Sequence, residues 1–216
     1  MSEIRRIDYQ TGSLTEADLA DTPLRQFEMW LSAANEAGIE EPNAMELGSV
    51  DENGQPHIRV MLCKEITADG FMFFTNYASD KGRQIEHNPQ VALCFHWQPL
   101  YRQVRVTGIA HRLPTAQSDA YFASRPRDAQ LGAWSSPQSA VIPDRDYVRA
   151  HLAEVTARFP AEVPRPQHWG GYLVEATSVE FWQGQPSRLH DRLRFVRRAA
   201  GRLDDPAAWQ VQRLAP

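Results

Sequence analysis

Apolar positions between residues 23 and 34 recur at helical spacing, with Phe27, Trp30, Leu31 and Ala34 on one face. Thr22-Pro23 just before them supplies an N-cap hydroxyl and a proline at the first helical position. From Ala44 the period shortens to strand alternation. Runs at 45–50, 57–64, 71–75, 91–97 and 102–110 read as strands, with Asn53-Gly54 as a hairpin turn between the first two. Ser79 predicts the cap of a short helix running to His87, where Asn88-Pro89 ends it.

The middle of the chain returns to the helical period. Thr115 starts a helix carrying Tyr121 and Phe122, stopped before Arg125-Pro126-Arg127. Asp144 caps another, in which Tyr147, Val148, His151, Leu152, Val155 and Phe159 repeat at spacings of three and four. Strand patterns resume at 171–174, 179–182, 193–197 and 209–214. Consecutive strands joined by tight turns predict an antiparallel sheet or barrel, mainly β with flanking helices. Residues 1–20 are polar and aperiodic and read as a flexible or partner-draping arm; residues 21–216 read as a single domain.

Composition narrows the function classes. The 216 residues are 42% hydrophobic and 23% charged, ordinary for a globular domain. A net charge of −4 argues against a nucleic-acid binder driven by phosphate neutralisation. No apolar run is long enough to span a bilayer, and residues 1–21 lack the apolar stretch of a signal peptide. Cys63 and Cys94, in apolar runs without CxxC spacing, read as reduced thiols of a cytoplasmic protein. The seven histidines have no zinc-ligand spacing, so no metal site is expected. Dinucleotide and nucleoside-triphosphate glycine motifs are absent, as is a GxSxG elbow. Of the 23 basic residues only Lys64 and Lys81 are lysine. Either chance left two, or these positions need a compact ammonium.

Cationic and amide side chains on strands and strand ends carry what chemistry is legible. Arg59 and Lys64 bracket an apolar run, and Gln103 and Arg105 share a strand face; either pair also fits a half-solvated strand. Ser124-Arg125-Pro126-Arg127-Asp128 sets two guanidinium groups in a proline-fixed turn, suited to phosphate or carboxylate or else to the helix dipole. The stretch 132–139 offers hydroxyls and amides beside Trp134 for a planar ligand. Arg188, His190 and Arg192 alternate, so an extended segment would project all three on one face, toward an anionic or electron-rich ligand or, as an exposed charged turn, toward solvent.

The ordered segments RVMLCK, FFTN, SDKGRQIEHNP, RQVRVTG, YFASRPR, LGAWSSPQS, WGGY, EFWQG and RLHDR together resemble the pyridoxine/pyridoxamine 5′-phosphate oxidase family, from about Pro23 to Pro216. The resemblance implies an antiparallel split β-barrel that homodimerises and holds FMN at the subunit interface. It implies hydride transfer from C4′ of a phosphorylated B6 vitamer to flavin N5, with dioxygen reduced to hydrogen peroxide. Positions matching FMN contacts are Arg59, Val60, Met61, Leu62, Lys64, Phe74, Thr75, Lys81, Gln103, Gln138, Ser139, Trp182 and Arg192. Those matching substrate contacts are Lys64, Tyr121, Arg125 and Ala129 at the phosphate, with Arg188 and His190 over the ring as the catalytic pair.

Three positions depart from the pattern. Asp80 precedes Lys81 where many members carry a phosphate-binding arginine, Ala129 replaces a serine, and Phe74 replaces a tyrosine. The lost serine hydroxyl alone is worth about 1.5–3 kcal/mol toward a charged group. Relatives that oxidise other reduced rings, such as phenazine precursors, and a non-catalytic flavin or pyridoxal phosphate carrier are the alternative readings.

Overall fold

The computed structural model describes residue 9 and residues 12–216. Its helices are α1 (Pro23–Glu36), α2 (Asp80–His87), α3 (Thr115–Ser124), α4 (Arg127–Ser135) and α5 (Arg145–Arg158). Its strands are β1 (Ala44–Val50), β2 (Pro56–Leu62), β3 (Glu65–Thr67), β4 (Gly70–Asn76), β5 (Gln90–Trp97), β6 (Arg102–Arg112), β7 (Trp169–Gln183), β8 (Asp191–Arg197) and β9 (Trp209–Arg213). All pairings are antiparallel. The order is β2-β1-β5-β6-β7-β4-β3, with β8 also on β7 and β9 on β8. This is the expected split barrel.

The local signals work where the chemistry is local. Thr22, Ser79 and Asp144 accept from the backbone N–H of Arg25, Gly82 and Tyr147, so each caps the helix its position predicts. The apolar face of α1 closes the barrel: Phe27 meets Phe71 and Phe95 edge to face, at 5.3 and 4.9 Å between centroids, and Trp30 meets Phe181 at 5.2 Å. A second cluster, centred on Phe122, Leu131, Val155 and Trp169, fastens α3, α4 and α5 to the sheet.

Several expectations are corrected. The strand patterns at 171–174 and 179–182 are two halves of the 15-residue β7. This strand pairs with β6 along one edge, and with β4 and then β8 along the other. A bulge between Thr107 and Gly108 re-registers β6 against it, and a Cβ at Gly108 would stand 2.4 Å from the Glu175 carbonyl oxygen. The proline-fixed turn at 124–128 leads straight into α4, which begins at Arg127 and was not expected.

Of the arm expected over residues 1–20, the described part beyond Gly12 is pinned. Leu14 is buried and its N–H donates to Asp191, while Arg213 holds the Glu16 carboxylate. Residues 1–8, 10 and 11 lie outside the described residues.

Candidate active site

Three groups of polar side chains stand on this scaffold. The first lines a cavity of about 410 Å³ between the end of β2, β4, α3 and α4. Lys64, Tyr121, Arg125 and Ala129, the residues expected at a substrate phosphate, all face it, together with Met61, Phe74, Thr75 and Gln138. Its wall is a stack of parallel rings. Phe74 and Tyr121 lie 3.7 Å apart at 11°, and Tyr121 and Trp169 lie 6.2 Å apart at 3°. The Arg125 guanidinium sits 4.6 Å over Trp169, and its Nη1 is buried with no hydrogen-bond partner among the described residues. Burial pushes the Arg125 pKa down, partly offset by Tyr121, and pushes the Tyr121 phenol up. A buried, unpaired guanidinium N–H is costly unless an anion completes it.

Arg127, expected to work beside Arg125, does not: its guanidinium turns away to the carbonyls of Phe159 and Ala161. The proline between them separates a cavity-facing arginine from one bonded to backbone carbonyls.

The second group lies around the start of α2. Arg59, on β2, donates to the Leu47 carbonyl, to Ser49 Oγ at 2.6 Å and to Gln84 Oε1 at 2.9 Å. Lys81 is only 8% exposed, yet among the described residues its Nζ has just the Ser79 hydroxyl at 3.5 Å and the Gln138 amide oxygen at 3.4 Å. Thr75 donates to the same Gln138 oxygen at 3.5 Å. Burial lowers the Lys81 pKa, the Arg59 charge lowers it further and Asp80 opposes both. Neither cation is in an ion pair among the described residues. A buried ammonium beside a guanidinium at a helix N-terminus fits a phosphate group. Asp80 is turned onto Arg83. Ser139, at φ 71°, is exposed in the turn after Gln138, and Val60 is 66% exposed on the outer side of β2.

The third group stands at the other end of β7. Gln103 pairs with Trp182 across β6 and β7, and Trp182 with Arg192 across β7 and β8. Arg192 donates through Nε to Glu180 at 2.8 Å and through Nη1 to the Ala215 carbonyl at 3.0 Å. Glu180 is 5% exposed and also receives Arg105 at 3.4 Å. The expected alternation over 188–192 is not realised. Ser187 and Arg188 take φ values of 56° and 63° in a 3₁₀ turn, and the strand begins only at Asp191. His190 is instead fixed by a bond its Nδ1 accepts from the Gln185 N–H, at 3.1 Å, with its ring 4.7 Å from Trp182. Partial burial, then the neighbouring Arg188, lowers its pKa.

The first two groups share Thr75 and Gln138; the third is remote. Thr75 pairs with Gly170 and Arg192 with Trp182, twelve positions apart on β7. That is roughly 40 Å along a strand rising about 3.3 Å per residue. The sequence reading did not find Trp169 as a cavity wall, Ser49 and Gln84 as partners of Arg59, or Glu180 as the anchor of Arg192. Trp169, Gln84 and Glu180 carried a signal, inside the WGGY, SDKGRQIEHNP and EFWQG segments; Ser49 carried none.

A curled antiparallel barrel carrying buried, unpaired cations beside an aromatic cleft is the architecture of the split-barrel flavoproteins. Residues 31–159 match the family model described as pyridoxamine 5′-phosphate oxidase, and residues 169–216 match the pyridoxine 5′-phosphate oxidase C-terminal dimerisation region. The chain belongs to the pyridoxamine 5′-phosphate oxidase family. The pyridoxine/pyridoxamine 5′-phosphate oxidase of Cupriavidus metallidurans is 47% identical over 216 residues, covering 100% of this chain and 99% of that one. The Burkholderia mallei protein of the same name is 49% identical over 211 residues, covering 98% and 97%.

Among solved structures, PhzG from Burkholderia lata in complex with tetrahydrophenazine-1-carboxylic acid superposes with a TM-score of 0.86 at 28% identity, covering 95% of this chain and 99% of that one. A pyridoxamine 5′-phosphate oxidase-related, FMN-binding protein from Nostoc punctiforme shares the fold, with a TM-score of 0.69 at 16% identity and coverage of 92% and 100%. No helix among the described residues is long and apolar enough to cross a membrane.

Proposed function

We propose that this protein is an FMN-dependent oxidase that converts pyridoxine or pyridoxamine 5′-phosphate to pyridoxal 5′-phosphate with dioxygen as acceptor, working in the cytoplasm as a homodimer. The observation that carries the reading is the buried, unpaired Nη1 of Arg125 in a cavity shared with Lys64 and Tyr121. Those three groups match a small phosphomonoester, and the ring stack of Phe74, Tyr121 and Trp169 gives the cavity an apolar wall.

Lys81, Arg59 and the α2 N-terminus would hold the phosphate of FMN, with Thr75 and Gln138 lining the path from there to the cavity. Bound FMN supplies the two-electron acceptor. Arg125 and Lys64 fix the substrate at its phosphate end, which limits the approach of its ring to a few orientations. Arg188, His190, Trp182, Gln103 and Arg192 lie too far along β7 to join this cavity within one chain. A twofold-related copy bringing its own β7–β8 end over the cavity would complete the site twice, and the match of residues 169–216 to a dimerisation region supports this. There, Arg188 and His190 would cover the substrate ring, with neutral His190 carrying its proton at Nε2 and able to donate a hydrogen bond from it, while Glu180 holds Arg192 toward the flavin.

Purified protein mixed anaerobically with pyridoxine 5′-phosphate is expected to lose its yellow absorbance, while unphosphorylated pyridoxine bleaches it far more slowly. Equal rates would remove the phosphate-directed reading. A second reading, oxidation of a reduced phenazine ring, is favoured by the likeness to PhzG and by Ala129 at the cavity. Faster bleaching by tetrahydrophenazine-1-carboxylic acid would select it. Absence of bleaching by either compound would leave a carrier.

A further inference from the structure

Asp80 is the one group at the start of α2 whose charge opposes an anion. An acid in the first helical turn stabilises the helix by facing its positive end. The same carboxylate stands next in sequence to Lys81 and acts electrostatically on both Lys81 and Arg59. Left bare, it would cancel one of the two cations available to a phosphate. It is not bare. Arg83, three residues on and therefore on the adjoining face of the helix, folds back over the first turn and donates to the Asp80 carboxylate and to the Ala78 carbonyl. The same guanidinium lines a second cavity, of about 490 Å³, which shares Asn76, Ser136 and Gln138 with the first. Arg83 therefore lines the same cavity as Gln138, whose side-chain oxygen faces the Lys81 ammonium.

We propose that Asp80 and Arg83 form a charge-masking pair that sets the affinity of this site for the phosphate of its flavin: Arg83 neutralises Asp80 and does not itself bind the anion. The proposal rests on the reading of Lys81 and Arg59 as an FMN-phosphate cradle. Both members of the pair are about 60% exposed, so the masking operates through solvent and its size is that of a screened surface charge. The helix keeps its acidic first turn, and the cradle keeps its net positive charge.

The test is titration of the full-length apoprotein with FMN and with riboflavin at low salt, followed by quenching of flavin fluorescence. Riboflavin lacks the phosphate and reports everything except the cradle. In Arg83→Ala the Kd for FMN is expected to rise about fivefold, the effect of one unmasked charge on a dianion at a water-like dielectric, with riboflavin binding unchanged. Adding Asp80→Asn to that variant is expected to return FMN affinity to within about twofold of wild type, because the charge needing a mask is gone. Two results overturn the proposal: an FMN Kd unchanged in Arg83→Ala, or a loss that Asp80→Asn does not rescue, which would make Arg83 a direct ligand. Wild-type protein that does not prefer FMN to riboflavin would instead overturn the cradle itself, so the two failures are distinguishable.

Discussion

The cavity end and the β7–β8 end of this molecule are built on opposite plans. Around Arg125 the groups come from four elements, packed by a ring stack and a hydrophobic cluster, and the guanidinium is left short of one partner. Around Arg188 the groups come from one turn with two residues at positive φ, and Arg188 and Leu189 are exposed. Arg192, on the strand that follows, is tied down by Glu180 and the Ala215 carbonyl. The first region is packed around a cavity in which Arg125 Nη1 has no hydrogen-bond partner among the described residues. The second presents its side chains outward, at the surface of the chain. Under the proposed function the two regions are half-sites that a twofold assembly would bring together.

The largest effect that would break this comparison is at the buried arginine. Arg125→Ala is expected to lower kcat/KM for pyridoxine 5′-phosphate roughly 100-fold, as loss of charge-assisted bonds worth about 3 kcal/mol, while unphosphorylated pyridoxine is turned over as before. An equal loss on both substrates would make Arg125 structural.

Complementation tests the two-ended arrangement itself. Arg125→Ala and Arg188→Ala chains, each nearly inactive alone, are expected to recover about a quarter of wild-type activity after refolding together. Half of a random mixture is hybrid, and each hybrid holds one intact site. No recovery would place both residues in the same site of one chain.

Stability supplies a smaller contrast. Glu180→Gln leaves Arg192 and Arg105 around a buried position without their carboxylate, and a loss of about 3 kcal/mol in urea unfolding is expected. The exposed Asp80→Asn is expected to change stability by less than about 1 kcal/mol.

A pH titration sharpens the reading of the turn. His190 has a lowered pKa and its neutral Nδ1 accepts a backbone bond, so the folded form binds fewer protons than the unfolded one. Its contribution is therefore fully present above the ordinary imidazole value of about 6.5 and lost as pH falls through the lower folded value. Tryptophan emission, reporting Trp182 beside the ring, should change in that acidic window in wild type and not in His190→Gln. The smallest effect is at the cavity floor, where Ala129→Ser should lower KM for the phosphorylated substrate by a few fold.

Much of this was open to reading from the chain alone, and the reason is locality. Three helix caps, the alternation of seven strands outside β7 and the hairpin at Asn53-Gly54 depend on neighbours in sequence, and each stands where the pattern puts it. The unusual pair of lysines and the ordered family segments directed attention to positions that do gather: Lys64 on the cavity, Lys81 at the start of α2. What the pattern misplaced is non-local. The two short apolar runs at 171–174 and 179–182 are one strand because β6 binds along both, with a bulge absorbing the mismatch. Arg125 and Arg127 look equivalent in sequence, yet one stacks on Trp169 and faces the cavity while two carbonyls claim the other. The alternating Arg188, His190 and Arg192, the strongest motif in the sequence, do not share an extended face, because a left-handed turn at Ser187 and Arg188 intervenes. Residue types and their spacing determined which groups this protein brings to its chemistry. The path of β7, which sets them at opposite ends of a strand, decided that the Arg125 cavity and the Arg188 turn stand apart in one chain.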